Sequence, residues 1–130
     1  MQVHRPARVA ILEDDPDLVE GLSFLLHTLG LEVWPCRPTP EAARTLADAQ
    51  PQLIILDVRL GALDGIAVFH QLRADPTTRT IPVIFFTATE ARVRQRLPDY
   101  EQEGASFVGK PNIAQLSTRI RQLLQASGTT

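Results

Sequence analysis

Three segments of the chain share one design, an apolar run that stops at a polar residue. Val9-Ala10-Ile11-Leu12 runs into Glu13-Asp14-Asp15, Leu53-Ile54-Ile55-Leu56 into Asp57, and Val83-Ile84-Phe85-Phe86 into Thr87. Unbroken apolar runs of this length, rich in β-branched residues, suit strands covered on both faces, as in a parallel sheet. Leu31–Cys36 and Ala105–Val108 read as two shorter strands. Between the runs the period changes. Leu18, Leu22, Leu25 and Leu29 step by four, three and four, with Val19 and Leu26 beside them, and form one helical stripe. Asp15 is placed to cap this helix, Pro16 takes its first position, and Gly30 stands where it should stop. A second, alanine-rich helix is predicted from Thr39-Pro40 to about Ala49. A third runs from about Gly65 to Arg73 and buries Val68, Phe69 and Leu72. A fourth spans about Glu90 to Glu103, with Pro98 inside it, and a fifth carries Ile113, Leu116, Ile120 and Leu124 behind an Asn112–Gln115 capping box.

Strand and helix thus alternate five times. That order calls for parallel strands joined by right-handed crossover helices on both faces of the sheet. Any site should then lie at the carboxyl ends of the strands.

Composition narrows the reading. At 130 residues the chain makes a single domain, with its core over about 8–125 and tails at 1–7 and 126–130. It carries no apolar run near the ~20 residues of a membrane helix, and Met1–Pro6 is too polar for a signal peptide. Cys36 is the only cysteine, so no intrachain disulfide can form, and a reducing, cytoplasmic setting is expected. A net charge of -2 argues against gripping nucleic acid through its phosphates. Among thirteen basic residues the only lysine is Lys110. Where arginine is otherwise universal, a lone lysine suggests a position that needs a compact ammonium.

The strand-end rule says where to look for chemistry. The first strand ends in Glu13 and Asp14, the third in Asp57 and the fourth in Thr87; the fifth leads into Lys110-Pro111. Three acids, a hydroxyl and an ammonium therefore converge on one edge of the sheet. Crowded carboxylates repel, and a hard divalent cation with oxygen ligands relieves them. Beside such an ion and Lys110, Asp57 would be a carboxylate nucleophile toward a phosphoryl group. The ion, Lys110 and Thr87 would neutralise or hydrogen-bond the oxygens of the transferred group.

These residues resemble the receiver domain of two-component response regulators over almost the whole chain, from about Arg8 to Gln125. The resemblance rests on Glu13-Asp14-Asp15, Asp57, Asp64-Gly65, Thr87-Ala88 and Lys110-Pro111, in order and each beside the expected strand. It implies a flavodoxin-like, doubly wound α/β fold of five parallel strands in the order 2-1-3-4-5 with five helices. It also implies that Asp57 accepts a phosphoryl group from a sensor histidine kinase or histidine phosphotransfer protein. Mg²⁺, with Mn²⁺ as a substitute, would be held by Asp14, Asp57 and the main-chain carbonyl of Arg59, and by Glu13 through water. Thr87, Ala88 and Lys110 would meet the phosphoryl group, Phe107 would turn inward in response, and the Lys110–Pro111 bond would be cis. The surface of the fourth helix, fifth strand and fifth helix would report the change to a downstream effector or to an output domain outside these residues. The domain would assist only its own phosphorylation and dephosphorylation. It would need neither nucleic acid nor membrane. The chain departs from the family in having Gly61 where proline is common, and in Pro98 and a shortened stretch before Lys110. Arg59 and Thr89 occupy positions that tune phosphoryl lifetime in the family.

Simpler readings stand beside these. Asp64-Gly65 reads as a turn before the third helix, and Phe107 as either switch or core. Arg92, Arg94 and Arg96 read as a solvated face, and His4, His27 and His70 as surface or core-edge residues. Trp34 and Cys36 are expected in or near the sheet edge. Two rival functions are a degenerate receiver serving only as an interaction module and a small aspartyl phosphohydrolase. The first should have lost an acid, the threonine or the lysine, and none is lost. The second usually needs an acid two residues after its nucleophile, where Arg59 stands. A nucleotide-binding α/β protein is weaker still, because no glycine-rich phosphate loop follows the first strand.

Overall fold

A computed structural model describes residues 6–126. Its strands are β1 (Arg8–Leu12), β2 (Glu32–Cys36), β3 (Leu53–Leu56), β4 (Arg59–Leu60), β5 (Leu63–Asp64), β6 (Val83–Thr87) and β7 (Ala105–Gly109). Its helices are α1 (Pro16–Thr28), α2 (Ala42–Ala49), α3 (Gly65–Ala74), α4 (Glu90–Arg96) and α5 (Ile113–Ala126). Five strands form one parallel sheet in the order β2-β1-β3-β6-β7. Counting only the five predicted strands, this is the doubly wound order 2-1-3-4-5. The two-residue strands β4 and β5 form a separate antiparallel hairpin that the sequence reading did not anticipate. Its apolar content is too slight to register as a strand, and Gly61 turns its tip at φ +67°.

The unbroken apolar runs are explained by the two faces of the sheet. Val9, Ile11, Ile55, Ile84, Phe86 and Val108 pack with Leu22, Leu26, Leu116 and Ile120 of α1 and α5. The alternate residues Ala10, Leu12, Ile54, Leu56, Val83 and Phe85 pack with Leu46, Phe69, Leu72 and Val93 of α2, α3 and α4. Successive side chains point to opposite faces, so a strand buried on both must be apolar at every position.

Caps close the elements largely as expected. The Asp15 carboxylate accepts from Asp17 N–H at 3.0 Å, and Asn112 Oδ1 from Gln115 N–H at 3.0 Å. The return bond of the Asn112 box runs from the side-chain amide, because Asn112 N–H is already bonded to the Gly109 carbonyl. Two helix boundaries differ from the expectation. Ala42 N–H bonds the Thr39 carbonyl at 2.9 Å, so Thr39 and Pro40 form a turn and α2 starts at Ala42. The fourth helix ends at Arg96 rather than near Glu103. Pro98 has no N–H and forces Leu97 out of the helical region, to φ -134° and ψ 70°. Leu97 and Tyr100 are buried nonetheless, and the segment that follows turns into β7 at Gly104, φ +80°.

β2 is an edge strand, and Trp34 lies partly exposed on it with the Arg8 guanidinium 4.7 Å from its ring centre. Cys36 is buried, and burial pushes its thiol up to about 11. Among the described residues no helix is long and apolar enough to cross a membrane. His4 and both chain ends, 1–5 and 127–130, lie outside the described residues.

Candidate functional site

The sheet brings its strand ends together because neighbouring strands run in register. Leu12 pairs with Leu56, and Asp57 N–H bonds the Leu12 carbonyl at 3.1 Å, so Glu13 and Asp57 leave the sheet side by side. At the other junction Thr87 pairs with Gly109, and Lys110 N–H bonds the Thr87 carbonyl at 3.0 Å.

Lys110 reaches back across the sheet. Its Nζ donates to Glu13 Oε1 at 2.7 Å and to Asp57 Oδ2 at 2.8 Å. Glu13 and Asp57 are each 6% exposed, whereas Asp14 is open to solvent. The other oxygens are also held. Glu13 Oε2 accepts from the N–H groups of Asp14 and Asp15, and Asp57 Oδ1 from Val58 N–H at 2.7 Å. Burial raises the Glu13 pKa, against the pull of the Lys110 ammonium. Burial would lower Lys110, but its hydrogen bonds to Asp57 and Glu13 prevail and hold the ammonium above its ordinary range.

Glu13, Asp14 and Asp57 each offer a carboxylate oxygen within 4.8 Å of the others. Three carboxylates facing one ammonium leave a formal charge of -2. An all-oxygen donor set with that surplus fits a hard divalent cation. The cluster therefore fits Mg²⁺ in ligand type and in charge.

Thr87 is buried, with its hydroxyl 3.2 Å from that of Thr89 and accepting from Thr89 N–H at 3.4 Å. Ala88 beside it is exposed, as is Arg59 on β4. The Lys110–Pro111 peptide is cis. Phe107 is half-buried and packs against the core cluster on the α3 and α4 face of the sheet, outside the carboxylate cluster.

One residue of the site was underrated as a turn. Asp64 does cap α3, Oδ1 accepting from Ile66 N–H at 3.0 Å, as a turn reading expects. Gly65 does more. A Cβ at this position would collide with the Asp57 carbonyl oxygen and stand only 2.9 Å from its carbon and 3.0 Å from Val58 Cα. Gly65 N–H also bonds the Val58 carbonyl at 2.8 Å. A glycine at the first position of a helix, eight residues after Asp57, was the available signal for this close approach.

Residues 9–121 match the response regulator receiver domain family. This chain belongs to that family. Receiver domains are in general signalling modules rather than classical enzymes. It is similar to the transcriptional regulatory protein PrrA of Mycobacterium tuberculosis, with 32% identity over 95% of this chain and 52% of that protein. The receiver spans about half the length of the curated relatives it matches first. A solved receiver domain of a histidine kinase from Syntrophus aciditrophicus superposes with a TM-score of 0.81 at 33% identity, covering 95% of this chain and 94% of that one. The receiver domain of a sensor histidine kinase from Pseudomonas aeruginosa PAO1, solved with a magnesium ion in its active-site cleft, gives 0.75 at 25% identity over 93% and 97%.

Proposed function

We propose that this receiver accepts a phosphoryl group on the Asp57 carboxylate from a phosphohistidine of a sensor kinase or histidine phosphotransfer protein. One observation carries the reading: Lys110, the chain's only lysine, bridges Glu13 and Asp57 at 2.7 and 2.8 Å beside the exposed carboxylate of Asp14. An Asp57 oxygen forms the new bond to phosphorus as the bond to the histidine nitrogen breaks. Val58 N–H fixes the rotation of the carboxylate through Oδ1. Asp14, Asp57 and the Arg59 carbonyl would hold Mg²⁺ or Mn²⁺, with Glu13 acting through water. Bound there, the cation supplies positive charge to the phosphoryl oxygens.

Lys110 is free to exchange its bond to Asp57 for one to a phosphoryl oxygen, since its ammonium rotates three donors on a flexible stem. The Thr87 hydroxyl can leave Thr89 and donate to another oxygen, with Ala88 lining the same side. Phe107 is in the adjoining strand and would follow inward, altering the surface of α4, β7 and α5 that meets the effector. The receiver would also assist hydrolysis of its own phosphoryl group, at a rate tuned by Arg59 and Thr89. A cytoplasmic location fits this exchange.

The test is incubation with Mg²⁺ and acetyl phosphate, followed by intact-mass measurement. The expected product is about 80 Da heavier, labile to base and absent in Asp57→Asn. Failure of the wild-type chain to gain that mass, or its gain by Asp57→Asn, rejects the assignment.

A further inference from the structure

The three arginines of α4 do not share one environment. Arg94 pairs with Glu90 at 2.8 Å along the helix. Arg92 and Arg96 stand four residues apart on a common face, a spacing at which like charges disfavour a helix. Asp64 answers only one of them, through Arg96 Nη1 to Asp64 Oδ2 at 2.6 Å. Its other oxygen is committed to the Ile66 N–H cap. Arg59 lies opposite Asp64 across the β4–β5 hairpin, where an opposite-charge pair would be expected, yet Asp64 is turned to Arg96 instead.

Among the described residues, neither Arg59 nor Arg92 has an ion-pair partner. Both line one crevice of ≈ 350 Å³ with Arg96 and Asp64, walled by Val58 and by Gly61 and Ala62. The last two carry no atoms beyond Cβ, so the hairpin tip leaves the crevice open. Three guanidinium groups against one carboxylate give this rim a formal charge of +2, in a chain whose total is -2. A short helix thus carries two like charges on one face, and the hairpin adds a third, with a single acid among them.

We propose that this crevice is a docking surface for an acidic segment of a partner protein. The partner's carboxylates would take the unused donors of Arg59 and Arg92. A guanidinium fork matches a carboxylate in a bidentate pair. The arginines are exposed around an open crevice, which suits side chains offered by another protein surface better than a small ligand, whose sites enclose most of it. Opposite charge at such a rim steers and orients the encounter. The surface lies beside the phosphoacceptor loop, since Val58 both lines it and bonds Asp57, but docking there does not require phosphorylation.

The test is titration of the whole chain, free of divalent cations, with a short peptide of alternating Glu and Ala, followed by backbone amide NMR. Saturable shifts are expected along β4, β5 and α4. Binding should weaken roughly five-fold in Arg92→Gln and hold in the Arg119→Gln, Arg121→Gln double variant on α5. Shifts spread over all the arginines, or Arg92→Gln binding like the parent, would overturn the proposal. Inorganic phosphate reproducing the same saturable shifts at the same concentration would also overturn it, because the crevice would then be a small-anion site.

Discussion

Lys110 sits between two buried acids, and its chemistry sets the pH behaviour of the site. Its folded pKa is raised, so its contribution to stability is fully present below the ordinary lysine value and is lost as pH rises through the higher folded value. No other lysine titrates in this chain, but the buried Cys36 thiol, pushed up to about 11, also lowers stability in this range. The Lys110 share is therefore read as the difference between the wild-type chain and a lysine-free variant. The urea midpoint of the wild-type chain should fall from about pH 10 upward, and Lys110→Met should lack that extra fall. A parallel alkaline decline in both proteins would mean that the bonds to Glu13 and Asp57 contribute nothing to folding. At neutral pH Lys110→Met leaves Glu13 and Asp57 buried with no cation between them, so it should also be the less stable protein.

At the scale of elements, α3 is pressed onto the end of the strand that leads into Asp57. Its first residue has no side chain because none fits: the Asp57 carbonyl occupies the place of a Cβ at Gly65. The obstacle is backbone, which cannot rotate aside as a flexible side chain would. Gly65→Ala should therefore destabilise the chain by about 1–3 kcal/mol or more, measured by urea unfolding. A loss below the error of such curves would show that α3 can shift at little cost. The same element-level packing accounts for what was legible beforehand. Caps at Asp15 and Asn112 were readable because they depend on residues two or three positions away. The end of α4 was misplaced because Leu97 and Tyr100 keep an apolar spacing that looks helical while Pro98 breaks the backbone. The β4–β5 hairpin was missed because two-residue strands carry no period.

For the molecule as a whole, a cation that binds only where Glu13, Asp14 and Asp57 meet must stabilise the fold by mass action. Added Mg²⁺ should raise the thermal midpoint of the wild-type chain. At a hundred times the dissociation constant the gain is about 2.7 kcal/mol. Asp14→Asn removes one ligand and part of the repulsion, so its midpoint without Mg²⁺ should be at least as high as the parent's and should respond much less to the ion. An equal Mg²⁺ response in both proteins would exclude Asp14 as a ligand.

The sequence by itself determined the alternation of elements, the two-faced burial of the strands and the identity of the polar residues that end them. Those are local properties: a run of side chains must be apolar throughout if both faces are covered, and it stops where the chain leaves the sheet. Only the tertiary structure decided that Lys110 lies on Glu13, 97 residues away, and that Gly65 lies on the Asp57 carbonyl. It also decided that, of the crevice arginines Arg59, Arg92 and Arg96, Arg96 keeps an acid and the other two have none among the described residues. Contacts of that kind depend on strand register and on the approach of one backbone to another, and no spacing along the chain encodes them.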